Sequence, residues 1–277
     1  MSKNYYTLIT GASEGFGKAL AIECAKRKMN LILVALPGIE LHNLADLIQR
    51  NYDVLVSAIE KDLCKENSCQ EIFDEVTTMG LGVNMLVNNA GIGSTVLFSE
   101  GNIQMYERQI KLNVLATTLI TRLFIDMLKQ NGPSHILNVG SLASYFPLPK
   151  KQVYGATKSY IYYFSNCLRR ELKGDNIHVT VLCPGAMNTN KAVQLVIKNG
   201  NFLIRNSSLD PEKVAPIVID GLLKKRNVMV PGKLNKCYVV VYSLLPEFIK
   251  SIITNRSVKK LKSGSEQERF LQEPLTV

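Results

Sequence analysis

The N-terminal segment places a glycine-rich turn between a strand pattern and a helix pattern. Residues 5–10 are β-branched and aromatic, as in a short strand, and the turn Gly11-x-x-x-Gly15-x-Gly17 follows at once. An amphipathic helix pattern continues from the turn. Glycines allow a ligand to approach the backbone closely, and the unpaired N–H groups of a helix N-terminus attract anions. The segment therefore predicts a pyrophosphate site in an α/β fold, with an ordinary strand-to-helix turn as the alternative.

Apolar strand patterns alternate with helix patterns along most of the chain. Further strands are predicted at residues 30–36, 54–60, 83–91, 135–140, 177–185 and 227–231. Helices are predicted at about residues 40–51, 65–79, 104–129 and 152–172, and another begins at Asp210. Strands that alternate with helices of this length form a parallel sheet with helices on both faces. The predicted fold class is therefore α/β, with a doubly wound parallel sheet.

Composition limits the class of protein. The 277 residues are 46% hydrophobic, which suits one large globular α/β domain. The six cysteines lack the paired short spacing of a zinc site, so we predict no metal and free thiols in a reducing compartment. No signal-peptide pattern precedes the first strand, and the uncharged stretch 76–99 is broken by Gly, Asn and Thr. We therefore expect a cytoplasmic protein.

Small and polar residues follow the predicted strands at the sheet edge where such folds bind ligands. Residues 88–91, Asn-Asn-Ala-Gly, end the fourth strand. Asp62 follows the third strand, where it could accept a bond from an adenine amine or cap the next helix. Residues 35–37, Ala-Leu-Pro, offer neither an acid for a ribose 2′-hydroxyl nor an arginine for a 2′-phosphate. Asn113, among apolar residues of a helix, is a site residue or a core asparagine.

The segment 138–158 holds the side chains best suited to making and breaking bonds. Tyr154 and Lys158 lie four residues apart in a predicted helix, so both project from one face. A phenol titrates near about pH 10, and an adjacent ammonium lowers its pKa by stabilising the phenolate. Ser141 offers a hydroxyl that could hold a substrate oxygen beside the phenol. The Tyr-x-x-x-Lys spacing alone is common on helix surfaces, so its significance depends on the other motifs.

Seven motifs occur in one order and in register with the predicted strands. They are Gly11, residues 88–91, Asn113, Ser141, Tyr154, Lys158 and the pair Pro184-Gly185. In this combination the chain resembles the short-chain dehydrogenase/reductase family over about residues 5–230. The resemblance implies a Rossmann-like fold and an NAD(P)-dependent enzyme that interconverts a carbonyl and a secondary alcohol.

The resemblance also implies a role for each catalytic residue. Tyr154 is the general acid and base, and Lys158 binds the nicotinamide ribose and lowers the pKa of the tyrosine. Ser141 orients the carbonyl of the substrate. Asn113 supports a water-linked proton relay.

The implied cofactor-binding residues gather around the glycine turn and the strand ends. They are Gly11, Ser13, Glu14, Gly15, Phe16, Gly17, Leu36, Asp62, Leu63, Asn89, Ala90, Gly91, Tyr154, Lys158, Pro184, Gly185 and Thr189. We predict NADP(H) over NAD(H), because residues 35–37 hold no acid to repel a 2′-phosphate and the next helix N-terminus could accept it. Glu14, where NADP-using relatives often carry a basic residue, opposes this choice.

Positive charge is concentrated near the C-terminus. The formal net charge is +10, and residues 221–262 hold ten Lys or Arg against one acid. We divide the chain into an oxidoreductase domain at 1–232, a helical extension at 233–262 and a flexible tail at 263–277. The extension combines basic residues with an uncharged run at 237–246 that is too short to span a bilayer. It either packs on the body or lies on a membrane surface, and its charge could also attract an anionic substrate.

The predicted function is oxidoreduction of a small, apolar carbonyl compound or alcohol. Similar members of the family suggest a hydroxysteroid or a 3-oxoacyl compound. The resemblance implies a homodimer or homotetramer formed through helices 104–129 and 152–172, and residues 186–208 are expected to form a lid. A dinucleotide-binding sensor or scaffold without turnover and a peripheral membrane protein are the alternatives. No nucleic-acid partner is expected, because the basic residues alternate with Val, Leu and Ile instead of stacking aromatics.

Overall fold

The computed structural model describes residues 5–189, 208–246 and 248–252. Within these ranges seven strands form one parallel sheet in the order β3-β2-β1-β4-β5-β6-β7. The strands are β1 (Tyr5–Thr10), β2 (Asn30–Ala35), β3 (Val56–Glu60), β4 (Gly82–Asn88), β5 (Ser134–Val139), β6 (Ile177–Leu182) and β7 (Val228–Met229). The order reverses between β1 and β4, which is where such sheets bind ligands. The predicted doubly wound parallel sheet is confirmed.

Eight α-helices have both ends in the described part of the chain, and residues 248–252 are helical as well. They are α1 (Gly15–Lys26), α2 (Ile39–Asn51), α3 (Ser68–Thr78), α4 (Ile103–Ile110), α5 (Thr117–Gln130), α6 (Gln152–Glu171), α7 (Pro211–Leu223) and α8 (Lys233–Leu244). The long helix predicted at 104–129 is present, and a π-helical turn, Lys111–Ala116, joins α4 to α5 within it. Asn113 lies in this turn, and π turns occur often at functional sites.

Two predicted strands end earlier than expected. The strand predicted at 83–91 ends at Asn88, and the one predicted at 177–185 ends at Leu182. Beyond Asn88 the backbone leaves the sheet, because the N–H groups of Asn89 and Ala90 donate to the hydroxyl of Thr10 at 3.0 and 3.1 Å. The small residues after β4 therefore form a loop at the carboxyl edge of the sheet.

Apolar side chains cover both faces of the sheet. Leu8 and Ile9 are neighbours in β1 and point to opposite faces. Ile9 packs in a core with residues of α1, α2 and α7, whereas Leu8 packs in a second core with Phe124 and other residues of α3 and α5. A parallel sheet that is buried on both faces gives uninterrupted apolar strands, as this sequence shows. Its carboxyl edge is the part left open for polar groups.

Helix α8 contacts the body of the protein near both of its ends, since Asn235 also lies against Gly185. The side-chain amide of Asn235 donates to the carbonyl of Pro231 at 2.9 Å, and the rings of Phe146 and Tyr242 meet edge to face with centroids 4.7 Å apart. Among the described residues no helix is long and apolar enough to cross a membrane. Most of the predicted lid and the predicted tail lie outside the described residues, so the division at 1–232, 233–262 and 263–277 stays a prediction.

The buried His135 in β5 gives a prediction for stability against pH. His135 is 9% exposed, and its Nδ1 has no hydrogen-bond partner among the described residues. Burial first, and then the nearby charges of His178 and Lys225, lower its pKa to about 4. The unfolded chain, with a histidine pKa of about 6.5, therefore binds this proton first as the pH falls, and the fold is destabilised between about pH 6.5 and 4.

Replacing His135 by leucine should remove this dependence. Urea denaturation of the wild type should show a loss of up to about 2 kcal/mol between pH 7 and pH 5 that the variant lacks. If both proteins lose the same free energy of unfolding over this interval, the buried imidazole is not its source.

Candidate active site

The glycines of the turn carry no side chains, so other atoms of the protein pack closely against their backbone. Gly11 and Gly15 have positive φ angles of 64° and 55°, which suit glycine. A Cβ on Gly17 would overlap the carbonyl oxygen of Gly11 and lie 2.6 Å from the side-chain amide nitrogen of Asn89. The side chain of Glu14, the N-cap residue of α1, makes no capping hydrogen bond. The backbone N–H groups at the N-terminus of α1 can therefore take the pyrophosphate of a dinucleotide. The residues present therefore fit an NAD(P) cofactor.

The loop after β4 connects this turn to the catalytic side chains. The Asn89 amide donates to the carbonyls of Thr10 and Gly11 at 3.0 and 3.1 Å. A Cβ on Gly11 would lie 2.9 Å from the Cα of Ala90, and a Cβ on Gly91 would lie 3.2 Å from the Nζ of Lys158. Three consecutive residues thus span the distance between the glycine turn and the lysine.

Tyr154 and Ser141 lie close to one another. Burial raises the pKa of the half-buried Tyr154, the nearby Ser141 hydroxyl lowers it, and the nearby Cys183 thiol raises it. The hydroxyl oxygen of Ser141 accepts a bond from the N–H of Ala143 at 3.1 Å, which orients it. The phenol therefore carries its proton at neutral pH, as an acid for carbonyl reduction must.

Lys158 lies near Tyr154, and a strand carbonyl also holds its ammonium. Its Nζ donates to the carbonyl of Val139 at 2.8 Å and lies 5.9 Å from the centroid of the Tyr154 ring. Burial lowers the pKa of Lys158 to about 8. The predicted lowering of the tyrosine pKa by this lysine stays a prediction.

Asn113 is fully hydrogen-bonded in the π turn. Its Oδ1 accepts from the N–H of Ile92 at 2.9 Å, and its Nδ2 donates to the carbonyl of Ile92 at 2.9 Å and to the hydroxyl of Thr157 at 3.0 Å. Asn113 therefore ties the loop after β4 to α6, close to Gly91 and Lys158. The proton relay implied by the resemblance stays a prediction.

Two predicted cofactor residues lie at separate places around the site. A Cβ on Gly15 would lie 3.0 Å from the Cβ of Thr189, so Thr189 lies against the turn. The carbonyl of Pro184 accepts from the N–H of Leu142 at 2.9 Å, which holds the Pro184-Gly185 turn against the loop that follows β5.

Other predicted cofactor residues turn their side chains elsewhere. Phe16 and Leu63 are buried in the two cores and can offer only backbone to a ligand. Asp62 accepts from the N–H of Cys64 at 3.0 Å, in the turn that precedes α3. The N-cap residue of α3 is Asn67, so the prediction that Asp62 caps this helix is wrong. Ser13 is half-buried and Glu14 is exposed on the turn, whereas Leu36 is 51% exposed after β2.

The sequence-based reasoning missed two charged groups. Glu60 ends β3, and its Oε1 accepts from the N–H of Gly38 at 2.9 Å. The premise that no acid stands near the end of β2 is therefore wrong. The register pair Ala35 and Glu60 is the signal that could have revealed it.

The second charged group is Lys151. Its Nζ lies 5.3 Å from the centroid of the Tyr154 ring, and burial lowers its pKa.

Comparisons with known proteins agree with the site. The family model described as short chain dehydrogenase matches residues 6–199. Very-long-chain 3-oxoacyl-CoA reductase of Mus musculus is 30% identical over 187 residues, which are 65% of this chain and 58% of that protein. The chain thus matches little more than half the length of the mouse protein. The NADP-dependent 3-hydroxy acid dehydrogenase of Schizosaccharomyces pombe is 30% identical over 82% of this chain and 90% of that protein.

One solved structure adds a cofactor-bound example. A short-chain dehydrogenase from Sphingobium yanoikuyae in complex with NADPH has a TM-score of 0.74 and 25% identity, and covers 88% of this chain and 97% of that chain. The family match spans well over half of the chain, and it includes the glycine turn, the loop after β4 and the catalytic helix. The chain therefore belongs to the short chain dehydrogenase family.

Proposed function

We propose that the protein is an NAD(P)-dependent oxidoreductase that interconverts a carbonyl and a secondary alcohol. The observation that carries the proposal is the loop 89–91, which touches the glycine turn on one side and Lys158 on the other. It brings a dinucleotide site and a Ser141–Tyr154 acid within reach of one substrate. A sensor without turnover has no need of a phenol and a serine hydroxyl that lie close together at this place.

The side chains divide the proton chemistry between them. When bound, the reduced nicotinamide supplies the hydride. Ser141 holds the substrate oxygen, and Tyr154 gives this oxygen its proton in reduction or removes the proton in oxidation. With a pKa of about 8, Lys158 is mostly charged at neutral pH and stabilises the phenolate that remains after proton transfer. Asn113 keeps the loop after β4 fixed beside these groups.

An apolar substrate of 3-oxoacyl or hydroxysteroid type is our proposal for the substrate class. Both relatives described above are named for 3-oxoacyl or 3-hydroxy acid chemistry, and human 17-beta-hydroxysteroid dehydrogenase type 3 is 31% identical over 190 residues. Ser141 and Tyr145 flank the short 3-10 helix Leu142–Ser144, and the Tyr145 ring meets the Tyr162 ring edge to face with centroids 5.0 Å apart. Such rings suit an apolar chain or a ring system.

Turnover of a substrate panel tests the function. Purified protein is mixed with NADPH or NADH and with a 3-oxoacyl thioester, a 3-oxo acid, a steroid ketone or a simple aliphatic ketone. We expect loss of the reduced nicotinamide absorbance with at least one ketone. If a cofactor binds with micromolar affinity but no ketone is reduced, the sensor or scaffold alternative is favoured.

Lys151 gives a prediction about acidic substrates. Its ammonium lies beside the Tyr154 ring and approaches the carbonyl of Ser94 at 3.5 Å, which leaves it able to bind a carboxylate. Lys151→Met should raise KM for a 3-oxo acid about tenfold, the value of one charge-assisted hydrogen bond, and leave KM for a steroid ketone unchanged. Lys150→Met is the matched control. Equal KM changes for both substrates would show that the substitution perturbs the structure and that Lys151 does not bind the carboxylate of the 3-oxo acid.

A homo-oligomer and a cytoplasmic location complete the proposal. Leu115 and Leu119 on the α4–α5 side and Tyr160 and Tyr163 on α6 are large apolar side chains that are 38–74% exposed. Helices that present such residues are suited to an interface with a second copy. Light scattering of the purified protein would distinguish a dimer or tetramer from a monomer.

NADP(H) as cofactor is supported by the relative from S. pombe and by the NADPH-bound neighbour. A preference for NADP(H) over NAD(H) rests on the absence of an acid among residues 35–37. The Glu60 carboxylate at the N-terminus of α2 opposes that preference.

A further inference from the structure

The turn between β2 and α2 holds a carboxylate that comes from β3. In dinucleotide-binding sheets the residue at the end of the second strand reads the 2′ position of the adenosine ribose. Here β2 ends at Ala35, whose side chain is too short to do so, and the exposed Leu36 follows. Glu60 is the register partner of Ala35 in the neighbouring strand, and the two side chains therefore point to the same face of the sheet.

Two donors hold the Glu60 carboxylate at this turn. Its Oε1 accepts from the N–H of Gly38 at 2.9 Å and lies 3.1 Å from the Nε2 of His42. The bond from Gly38 is the largest cause of the lowered pKa of Glu60, so the group is ionised at neutral pH. Both contacts use Oε1, and the side chain is 37% exposed, so within the described chain Oε2 stays accessible to a ligand.

Among the described residues, His42 is the only basic side chain within salt-bridge distance of this carboxylate. Lys61, the next residue, is paired with Glu71 at 2.7 Å. Glu40 adds a second acid in the first turn of α2, and its Oε2 would lie 2.9 Å from a Cβ on Gly38. The N-terminus of α2, which the sequence suggested for a 2′-phosphate, therefore already has an acid bound to its N–H and another beside it.

We propose that Glu60 determines the selectivity for the 2′ position of the cofactor. Its carboxylate accepts a hydrogen bond from the free 2′-hydroxyl of NAD(H) and repels the 2′-phosphate of NADP(H), which turns the preference of this chain toward NAD(H). β3 supplies the residue for this role because β2 has no acid at its end. The inference rests on the proposed function, since it concerns the cofactor that the function uses.

Binding of the two cofactors to Glu60→Gln tests the inference without turnover. Glutamine keeps the size of the side chain and its bond from Gly38 but removes the charge. In fluorescence titrations, the ratio of Kd for NADPH to Kd for NADH should fall at least about tenfold relative to wild type. Asp46→Asn removes the same charge from the middle of α2, where Asp46 lies 4.0 Å from Arg50, and should change the ratio less than about twofold.

A second measurement needs no variant. On the wild type, AMP should compete with bound NADH at a lower concentration than 2′-phosphorylated AMP does. An unchanged Kd ratio in Glu60→Gln, or tighter binding of 2′-phosphorylated AMP, overturns the role of Glu60 while the oxidoreductase assignment stands. Failure of the wild type to bind either cofactor at millimolar concentration overturns the proposed function and this inference together.

Discussion

Tyr154→Phe should lower kcat about a thousandfold with every ketone that the wild type reduces. The substitution removes one oxygen, the atom that carries the transferred proton, and positioned acids and bases typically contribute about 100- to 10,000-fold to the rate. The ring, its burial and its neighbours Gly93 and Lys151 stay in place. We therefore expect the Kd values for NADPH and NADH to stay within about twofold of the wild type.

A tyrosine on the same helix provides the matched control. Tyr163 is also in α6 but is 74% exposed, so Tyr163→Phe removes the same oxygen far from Ser141 and should leave kcat unchanged. Steady-state rates and cofactor titrations on the three proteins separate the outcomes. Turnover by Tyr154→Phe within tenfold of the wild type would show that another group supplies the proton.

Gly17→Ala should abolish cofactor binding and weaken the fold. The new methyl group would overlap the carbonyl oxygen of Gly11 and approach the amide of Asn89 to 2.6 Å, so the turn must open. The neighbouring atoms are backbone and a fixed amide, and overpacking of this kind costs about 1–3 kcal/mol. We expect Kd for either cofactor to rise at least about a hundredfold, because the displaced atoms form the pyrophosphate site.

Gly174 offers a control for the added methyl group itself. No atom of the described residues lies within 4 Å of a Cβ on Gly174, which lies in the short 3-10 helix Leu172–Asp175. Gly174→Ala should change the free energy of unfolding by less than about 0.5 kcal/mol and leave cofactor binding unchanged. Urea denaturation and fluorescence titration measure both quantities. Normal cofactor affinity in Gly17→Ala would show that the cofactor binds elsewhere.

Local patterns were sufficient to predict most elements and the general place of the site. β1 and α1 could be found because a β-branched run, three glycines and a helical period follow one another within a short segment. Residues 88–91, Ser141 and Tyr154 could be placed near one another because the carboxyl ends of parallel strands share one edge of the sheet. The structure agrees, since the loop 89–91 reaches both the glycine turn and Lys158.

What could not be predicted depends on contacts between distant segments. Glu60 enters the cofactor corner only because β3 pairs with β2 in a register that sets it beside Ala35, and no local pattern determines that register. The π turn at Asn113 arises where the asparagine bonds to Ile92 on another element. Helical spacing indicated that Lys158 faces Tyr154, but the carbonyl of Val139, which binds its ammonium, comes from β5.

A deuterium label can show whether this site transfers hydride. The protein is incubated with a ketone from the panel and with NADPH or NADH that carries deuterium at the reactive carbon of the nicotinamide, and the alcohol product is analysed by mass spectrometry. We predict that the wild type places the deuterium on the carbinol carbon and that Tyr154→Phe produces no labelled alcohol above background in the same time. If the wild type binds the labelled cofactor yet no labelled alcohol forms from any ketone, the protein is not the oxidoreductase proposed here.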